Sequence, residues 1–196
     1  GKAIRATTTA LRAAEPELTR LDSAVGDGDL GISMTRGSDN IDAAFDTLDL
    51  QHPARALAQV SALLRRWLAG TSGPLYAMFI LRAASSLGQE TSVDDAAAWG
   101  RALKAACQGM MDLGGASPGD RTMLDALVPA AEAFANASGD AAARIAAMHD
   151  AALAGAEATK AMQPRRGRST YLGDRTMGHP DPGAVAVTVW MGALRG

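Results

Sequence analysis

The stretch PARALAQVSALLRRWL, residues 53–68, decides the fold class. Its large apolar residues Leu57, Val60, Leu64 and Trp67 fall at i, i+3, i+7 and i+10. That spacing lines one face of a helix and does not fit the alternation of a half-buried strand. The same period recurs in both directions along the chain. A first helix is expected over residues 2–14, ending before Glu15-Pro16, and a second begins near Leu30 and carries Ile32, Ile41, Ala44, Phe45 and Leu48 inward. The quoted stretch is the third. A fourth starts at Pro74, where proline suits the first helical turn, and runs to Leu87. Further helices are expected over 93–113, 120–135, 140–162 and 183–194. VAVTVW at 185–190 is the one run ambiguous between helix and strand.

Composition agrees. Hydrophobic residues make up 47% of the 196 positions, aromatics only 4%, and alanine dominates the apolar set. Alanine is the strongest helix former, whereas a sheet would draw on valine, isoleucine and aromatics. There is no internal repeat, low-complexity tail or linker, so a single all-α domain is expected, its helices amphipathic. A formal net charge of -2 provides no electrostatic footprint for nucleic acid or an anionic membrane. No apolar run approaches the ~20 residues that span a bilayer. The lone Cys107 rules out an internal disulfide and suits a reducing compartment. With no charged-then-apolar leader, the expected location is the cytoplasm. The chain opens inside what reads as a helix.

Four junctions between these helices carry unusual chemistry. In LDSAVGDGDLG, residues 21–31, Asp22, Asp27 and Asp29 crowd into eight positions with two glycines between them, and no basic residue occurs from Leu21 to Thr35. Gly26 and Gly28 disfavour helix, so a folded-back turn is expected to aim the three carboxylates at one point. Two carboxylates ~5 Å apart repel by about 3 kcal/mol at an effective dielectric of ~20. Oxygen-only ligation of a hard divalent ion would relieve this, and Mg²⁺ completes its shell with water and phosphate oxygens. The competing reading has Asp29 capping the helix from Leu30 while the others are solvated. AGTSGPL, 69–75, presents backbone N–H groups with the Thr71 and Ser72 hydroxyls at a helix start, which suits an anion; the alternative is an ordinary helix start. LGGASPGDRTMLDAL, 113–127, leads to Asp120 as an N-cap, with Met123 and Leu124 either an apolar wall for a flat base or plain core.

The fourth junction, QPRRGRSTYLGDRTMGHPDPG at 163–183, is about twenty residues long, and loops of that length are usually functional or disordered. It brings Arg165, Arg166, Arg168 and Arg175 ahead of Asp181, Pro182 and Gly183. Guanidinium groups match phosphate and stabilise charge on a transferring phosphoryl group; the alternative is a solvated basic loop. His179, between Gly178 and Pro180, reads as a turn residue more than as a base, and no His/Cys cluster suits zinc. These junctions precede the second, fourth, sixth and eighth expected helices. Alternate junctions of an up-and-down bundle lie at one end, so all four should converge on a single rim.

At these residues the sequence resembles the nucleotide-binding (L) subunit or domain of the dihydroxyacetone kinase family. LDSAVGDGDLG, GTSGPLY, PGDRTMLDAL and GRSTYLGDRTMGHPDPGA match in order across residues 21–184. It differs from many relatives in having Leu30 where they carry histidine. The resemblance implies a closed barrel of eight antiparallel helices with ADP or ATP and two Mg²⁺ ions at one end. By that likeness Asp22, Asp27 and Asp29 are the metal ligands. Leu30, Gly31, Ile32, Ser33, Thr71, Ser72, Gly114, Met123, Arg168, Asp181, Pro182 and Gly183 would contact the nucleotide, with Arg168 nearest the transferred phosphoryl group. It further implies a separate K subunit that holds the ketose, without which this chain would be inactive. In one branch of the family ATP exchanges at each turnover; in the other, bound ADP is rephosphorylated by a phosphocarrier subunit of the phosphotransferase system, which the short separate chain favours. A non-catalytic regulatory module acting through a transcription factor is the other function the resemblance suggests. The sequence leaves open the ketose, the phosphoryl donor and the oligomeric state, a homodimer included.

Overall fold

The computed structural model describes every residue except Ala69 and Asp94, on which the first residue of the second junction and one residue of the expected fifth helix fall. Among the described residues there is no strand, and the α-helices number nine rather than the eight expected. They are α1 (Lys2–Ala13), α2 (Glu15–Val25), α3 (Leu30–Ala43), α4 (Pro53–Trp67), α5 (Ser72–Leu87), α6 (Ala96–Gly114), α7 (Leu124–Asn136), α8 (Ala141–Ala158) and α9 (Pro182–Gly192).

The extra helix is α2. Glu15-Pro16 does end α1, but the proline sits in the first turn of the next helix, where its missing N–H leaves no bond unmade. Glu15 and Glu17 complement the positive end of that helix, and Leu18, Leu21 and Val25 form its buried stripe. Asp22 therefore rides on the last turn of a helix, and only Asp27 and Asp29 belong to the turn that follows. VAVTVW is helical because Asp181 caps α9, accepting from the Ala184 N–H at 2.8 Å, and Pro182 fixes its first turn.

Two side chains expected inside are not. Ile32 is 50% exposed because the buried face of α3 runs through Leu30, Ser33, Met34, Gly37, Ser38 and Ile41, and Ile32 lies off it. Trp67 is 39% exposed. As the last residue of α4 it lies under the Arg66 guanidinium, 4.9 Å above its ring, while Leu68 takes the interior position.

Neighbouring helices follow one another in space. α3 packs on α1, α4 on α3, and each later helix on the one before it, until α9 returns to α1, with α2 lying against α3 and α9. The main core runs through this circuit, built on Leu18, Leu87, Met110, Leu127 and Met191, each worth roughly 1.5–3 kcal/mol of burial. Alanine allows the helices to approach closely: Ala98, Ala102 and Ala106 on α6 are fully buried at i, i+4 and i+8. One close seam joins α8 to the start of α7, where any Cβ on Gly155 would run into the Asp125 carbonyl oxygen and come to 3.0 Å from the Ala126 Cα. No helix among the described residues is long and apolar enough to cross a membrane.

Candidate functional site

The acidic turn is built by short-range bonds. The Gly26 N–H donates to the Asp22 carbonyl at 2.6 Å. Gly28, at φ +76°, reverses the chain in a conformation L side chains rarely adopt, and a Cβ there would stand 2.5 Å from the Ser23 hydroxyl. The Asp22 carboxylate then accepts the Leu30 N–H at 3.1 Å. Asp29 is the residue before α3, but its side chain makes no capping bond; only its carbonyl accepts, from the Ser33 N–H at 2.9 Å. The cap is thus supplied by Asp22, and the Asp29 carboxylate is left facing its neighbours. One oxygen from each of Asp22, Asp27 and Asp29 lies within 4.8 Å of the others, the one such cluster of possible metal ligands among the described residues.

At 4.8 Å each ionised pair repels by about 3 kcal/mol at an effective dielectric of ~20, less where water reaches it. The Arg168 guanidinium pairs with Asp27 and offsets part of this. The donor set, three carboxylates with no sulfur or imidazole, fits a small hard divalent cation.

Across from the trio stands the start of α5. Thr71 precedes the helix without a side-chain cap bond, so the positive end of a 16-residue helix presents N–H groups with the Thr71 and Ser72 hydroxyls beside them. Gly70 brings this start close, for a Cβ on it would lie 3.8 Å from an Asp29 carboxylate oxygen.

The third junction folds differently from expectation. α7 begins at Leu124, four residues later than the sequence suggests, because Asp125 and not Asp120 organises the turn. The Asp125 carboxylate accepts the Gly119 and Thr122 N–H groups at 2.5 and 2.8 Å, while Asp120 accepts the Ser117 N–H at 2.9 Å. Met123 is nearly buried and faces Gly183, whose added Cβ would lie 3.4 Å from the Met123 Cβ.

The long segment 163–183 is not free loop. It contains two short 3-10 turns, Arg168–Tyr171 and Gly173–Thr176. It is tied down by Arg165 N–H to the Asp120 carbonyl (3.1 Å), Gly178 N–H to the Lys160 carbonyl (2.9 Å) and Asp181 N–H to the Thr159 hydroxyl (2.8 Å).

Together these four junctions enclose a cleft of about 640 Å³, within the range of small-molecule sites. They now precede α3, α5, α7 and α9, so the expected convergence holds despite the added helix. Asp22, Asp27, Asp29, Leu30, Ser33, Thr71, Ser72, Gly114, Met123, Arg168, Asp181, Pro182 and Gly183 all line it. Gly31 and Ile32 do not: Gly31 packs closely on α2 at Thr19, and Ile32 points to solvent. Of the other arginines of the 163–183 segment only Arg166 joins Arg168 in the lining, and His179 stands outside. Leu75, Met110, Leu113 and Ala116 add an apolar wall.

Asp181 is buried, and desolvation pushes its carboxyl up to about 6, against the Ala184 N–H and the Arg121 charge, which act the other way. Arg121 is the residue that sequence reading missed. It is fully buried at the cleft edge at φ +61°, and donates to the carbonyls of Thr176 and His179. An arginine between Asp120 and Thr122 gives no signal of this; only the tertiary contact does.

The DAK2 domain family model matches residues 24–196. The triokinase/FMN cyclase of Mus musculus is 37% identical over 190 residues, which cover 95% of this chain and 32% of that protein. The ADP-binding subunit DhaL of the PEP-dependent dihydroxyacetone kinase of Escherichia coli (strain K12) is 33% identical over 180 residues, 90% of this chain and 85% of the relative. The crystal structure of the dihydroxyacetone kinase of C. freundii superposes in its native form with a TM-score of 0.81 at 30% identity. The structure of the same kinase in complex with AMP-PNP and Mg²⁺ gives 0.79 at 31% identity, over 98% of this chain and 32% of that one. The chain therefore spans about a third of the longer kinases it matches.

Proposed function

Because the chain belongs to the DAK2 domain family, we propose that its 196 residues act as one nucleotide-binding unit of a dihydroxyacetone-type kinase. In this reading it takes ADP or ATP with two Mg²⁺ ions and passes a phosphoryl group to a small ketose held on a separate K subunit. The observation that carries the proposal is the pairing, across one cleft, of three carboxylates that serve no helix cap except through Asp22 with an uncapped helix start at Thr71 and Ser72.

Each wall has a distinct task. Asp22, Asp27 and Asp29 would hold the divalent ions, which supply charge neutralisation and a template for phosphate oxygens. The N–H groups at the start of α5 and the Thr71 and Ser72 hydroxyls bind phosphate without adding net charge. Met123, Leu75 and Leu113 offer a base an apolar surface. Arg168, which pairs with Asp27 at the edge of the acidic trio, would stabilise the charge that develops on the transferred group. Work of this kind is positioning and electrostatics, and none of it asks a side chain for covalent chemistry.

Native mass spectrometry and calorimetry with ADP and MgCl₂ test the binding, and ketose phosphorylation with a K subunit tests the activity. Bound ADP with two magnesium ions, and transfer from ATP or from a phosphocarrier protein, are the expected results. Binding without transfer from either donor would shift the reading to a regulatory module, and no Mg²⁺-dependent binding would end it.

A further inference from the structure

Arg121 has no part in the scheme above, yet it is the largest fully buried side chain among the described residues. It sits in the loop before α7 with a left-handed backbone, φ +61°, which a non-glycine residue adopts only where its surroundings require it. Its Nη2 donates to the Thr176 carbonyl at 3.1 Å and to the His179 carbonyl at 2.9 Å. Those carbonyls lie three residues apart, just before Asp181, and one planar guanidinium spans both. The remaining donors, Nε and Nη1, have no partner among the described residues, and the residue borders the cleft.

Burying a guanidinium is unfavourable unless its donors are matched, and an apolar side chain of similar volume would fill the space with less penalty. Arginine supplies something packing does not, a donor nitrogen that joins two walls of the cleft through two carbonyls. The other tethers of 163–183 among the described residues are backbone bonds to Asp120 and Lys160, the Asp181 N–H to Thr159, and the ion pairs of Arg165 with Asp120 and of Arg168 with Asp27. None of them holds the carbonyls at Thr176 and His179.

We propose that Arg121 is a positioning residue for phosphoryl transfer: by clamping the Thr176 and His179 carbonyls it sets the 163–183 segment, with Arg168 and Asp181, against the nucleotide end of the cleft. This rests on the nucleotide reading above. A loop held loosely would still allow binding through Asp22, Asp27, Asp29 and the start of α5, but would blur the placement of Arg168. Misplacement on the scale of an ångström costs about a hundredfold in rate.

The test uses the full chain as wild type, Arg121→Lys and Arg121→Ala, the last with and without guanidinium chloride at low millimolar concentration. Hydrogen exchange is read by mass spectrometry over 163–183 and, as internal control, over α4 and α6. Mg–ADP affinity and the steady-state constants with a K subunit are measured in parallel. Expected for Arg121→Lys are unchanged exchange in α4 and α6, exchange about tenfold faster in 163–183, and kcat lower by about tenfold or more at an unchanged KM for the ketose. Guanidinium should restore part of both losses in Arg121→Ala. Wild-type exchange in 163–183, a loosened loop with unaltered kcat, or faster exchange throughout the chain would each overturn the proposal. Failure of the wild type to bind Mg–ADP defeats the nucleotide reading and this one with it, whereas intact wild-type binding with an indifferent Arg121→Lys defeats the positioning role alone.

Discussion

Replacing Asp29 by asparagine should move the metal-free and the liganded protein in opposite directions. Asp29 is the informative member of the trio because its carboxylate neither caps α3 nor joins an ion pair, while Asp22 accepts the Leu30 N–H and Asp27 pairs with Arg168. Each neighbour within 4.8 Å contributes about 3 kcal/mol of repulsion at an effective dielectric of ~20. The trio is partly exposed and Arg168 screens Asp27, so the net relief is nearer about 1 kcal/mol. For a domain of this size that raises Tm by roughly 2–4 °C. Wild-type protein with Mg–ADP at 100 times Kd should gain about 2.7 kcal/mol, and the variant should lose most of that gain because a ligand oxygen of full charge is gone. Scanning calorimetry of both proteins, each in EDTA and in Mg–ADP, gives four transitions. An Asp29→Asn protein that melts lower than wild type in EDTA and keeps its Mg–ADP shift would refute the idea that this carboxylate is held for a cation.

Three further outcomes are expected. Asp181 has its folded value raised to about 6 from 3.8 by burial, so the native state binds the extra proton between those values; its contribution is full below pH ~4 and is lost as pH rises through ~6. Denaturant unfolding of metal-free protein between pH 4 and 7 should show wild type losing up to about 3 kcal/mol relative to Asp181→Asn, and parallel curves would count against a carboxyl whose desolvation outweighs its partners. Gly155→Ala should lower stability by about 2–3 kcal/mol, or roughly 5–10 °C in Tm, since its Cβ meets the backbone of α7 and not a side chain that can turn away; a neutral effect in thermal unfolding would mean that α8 slides easily. Arg168→Lys keeps the charge but loses the planar fork, so kcat for transfer with a K subunit should fall about a hundredfold or more with ADP affinity nearly unchanged; equal kcat would move the charge-stabilising role elsewhere.

Most of the architecture was legible in the sequence because helical period and alanine content act locally. Leu57, Val60 and Leu64 mark α4 without help from the rest of the chain. What escaped was decided by context. Pro16 reads as a stop, yet the same proline starts α2, and only the packing of Leu18, Leu21 and Val25 on neighbouring helices decides between the two. Asp120 and Asp125 are equally good acceptors by type, and the later one, inside α7, organises the turn before it. At the site, Asp22, Thr71, Met123 and Asp181 could be found because each stands in a glycine- or proline-marked junction. Ile32 was misplaced by its position in such a junction, since a helix turns about 100° per residue and two steps from Leu30 lead away from the core. Arg121 carried no local mark, for its partners lie 55 and 58 residues further on.

The return of α9 to α1 has a consequence for how the protein comes into being. The cleft takes Asp181, Pro182 and Gly183 from the start of α9, the last of these helices to be synthesised. A chain emerging from the ribosome can assemble the acidic turn and the start of α5 early, but the compartment lacks a side until α9 docks. Ligand capture thus reports on completion of the whole circuit, and a stalled or truncated product should fail to retain nucleotide even where most of its helices are already folded.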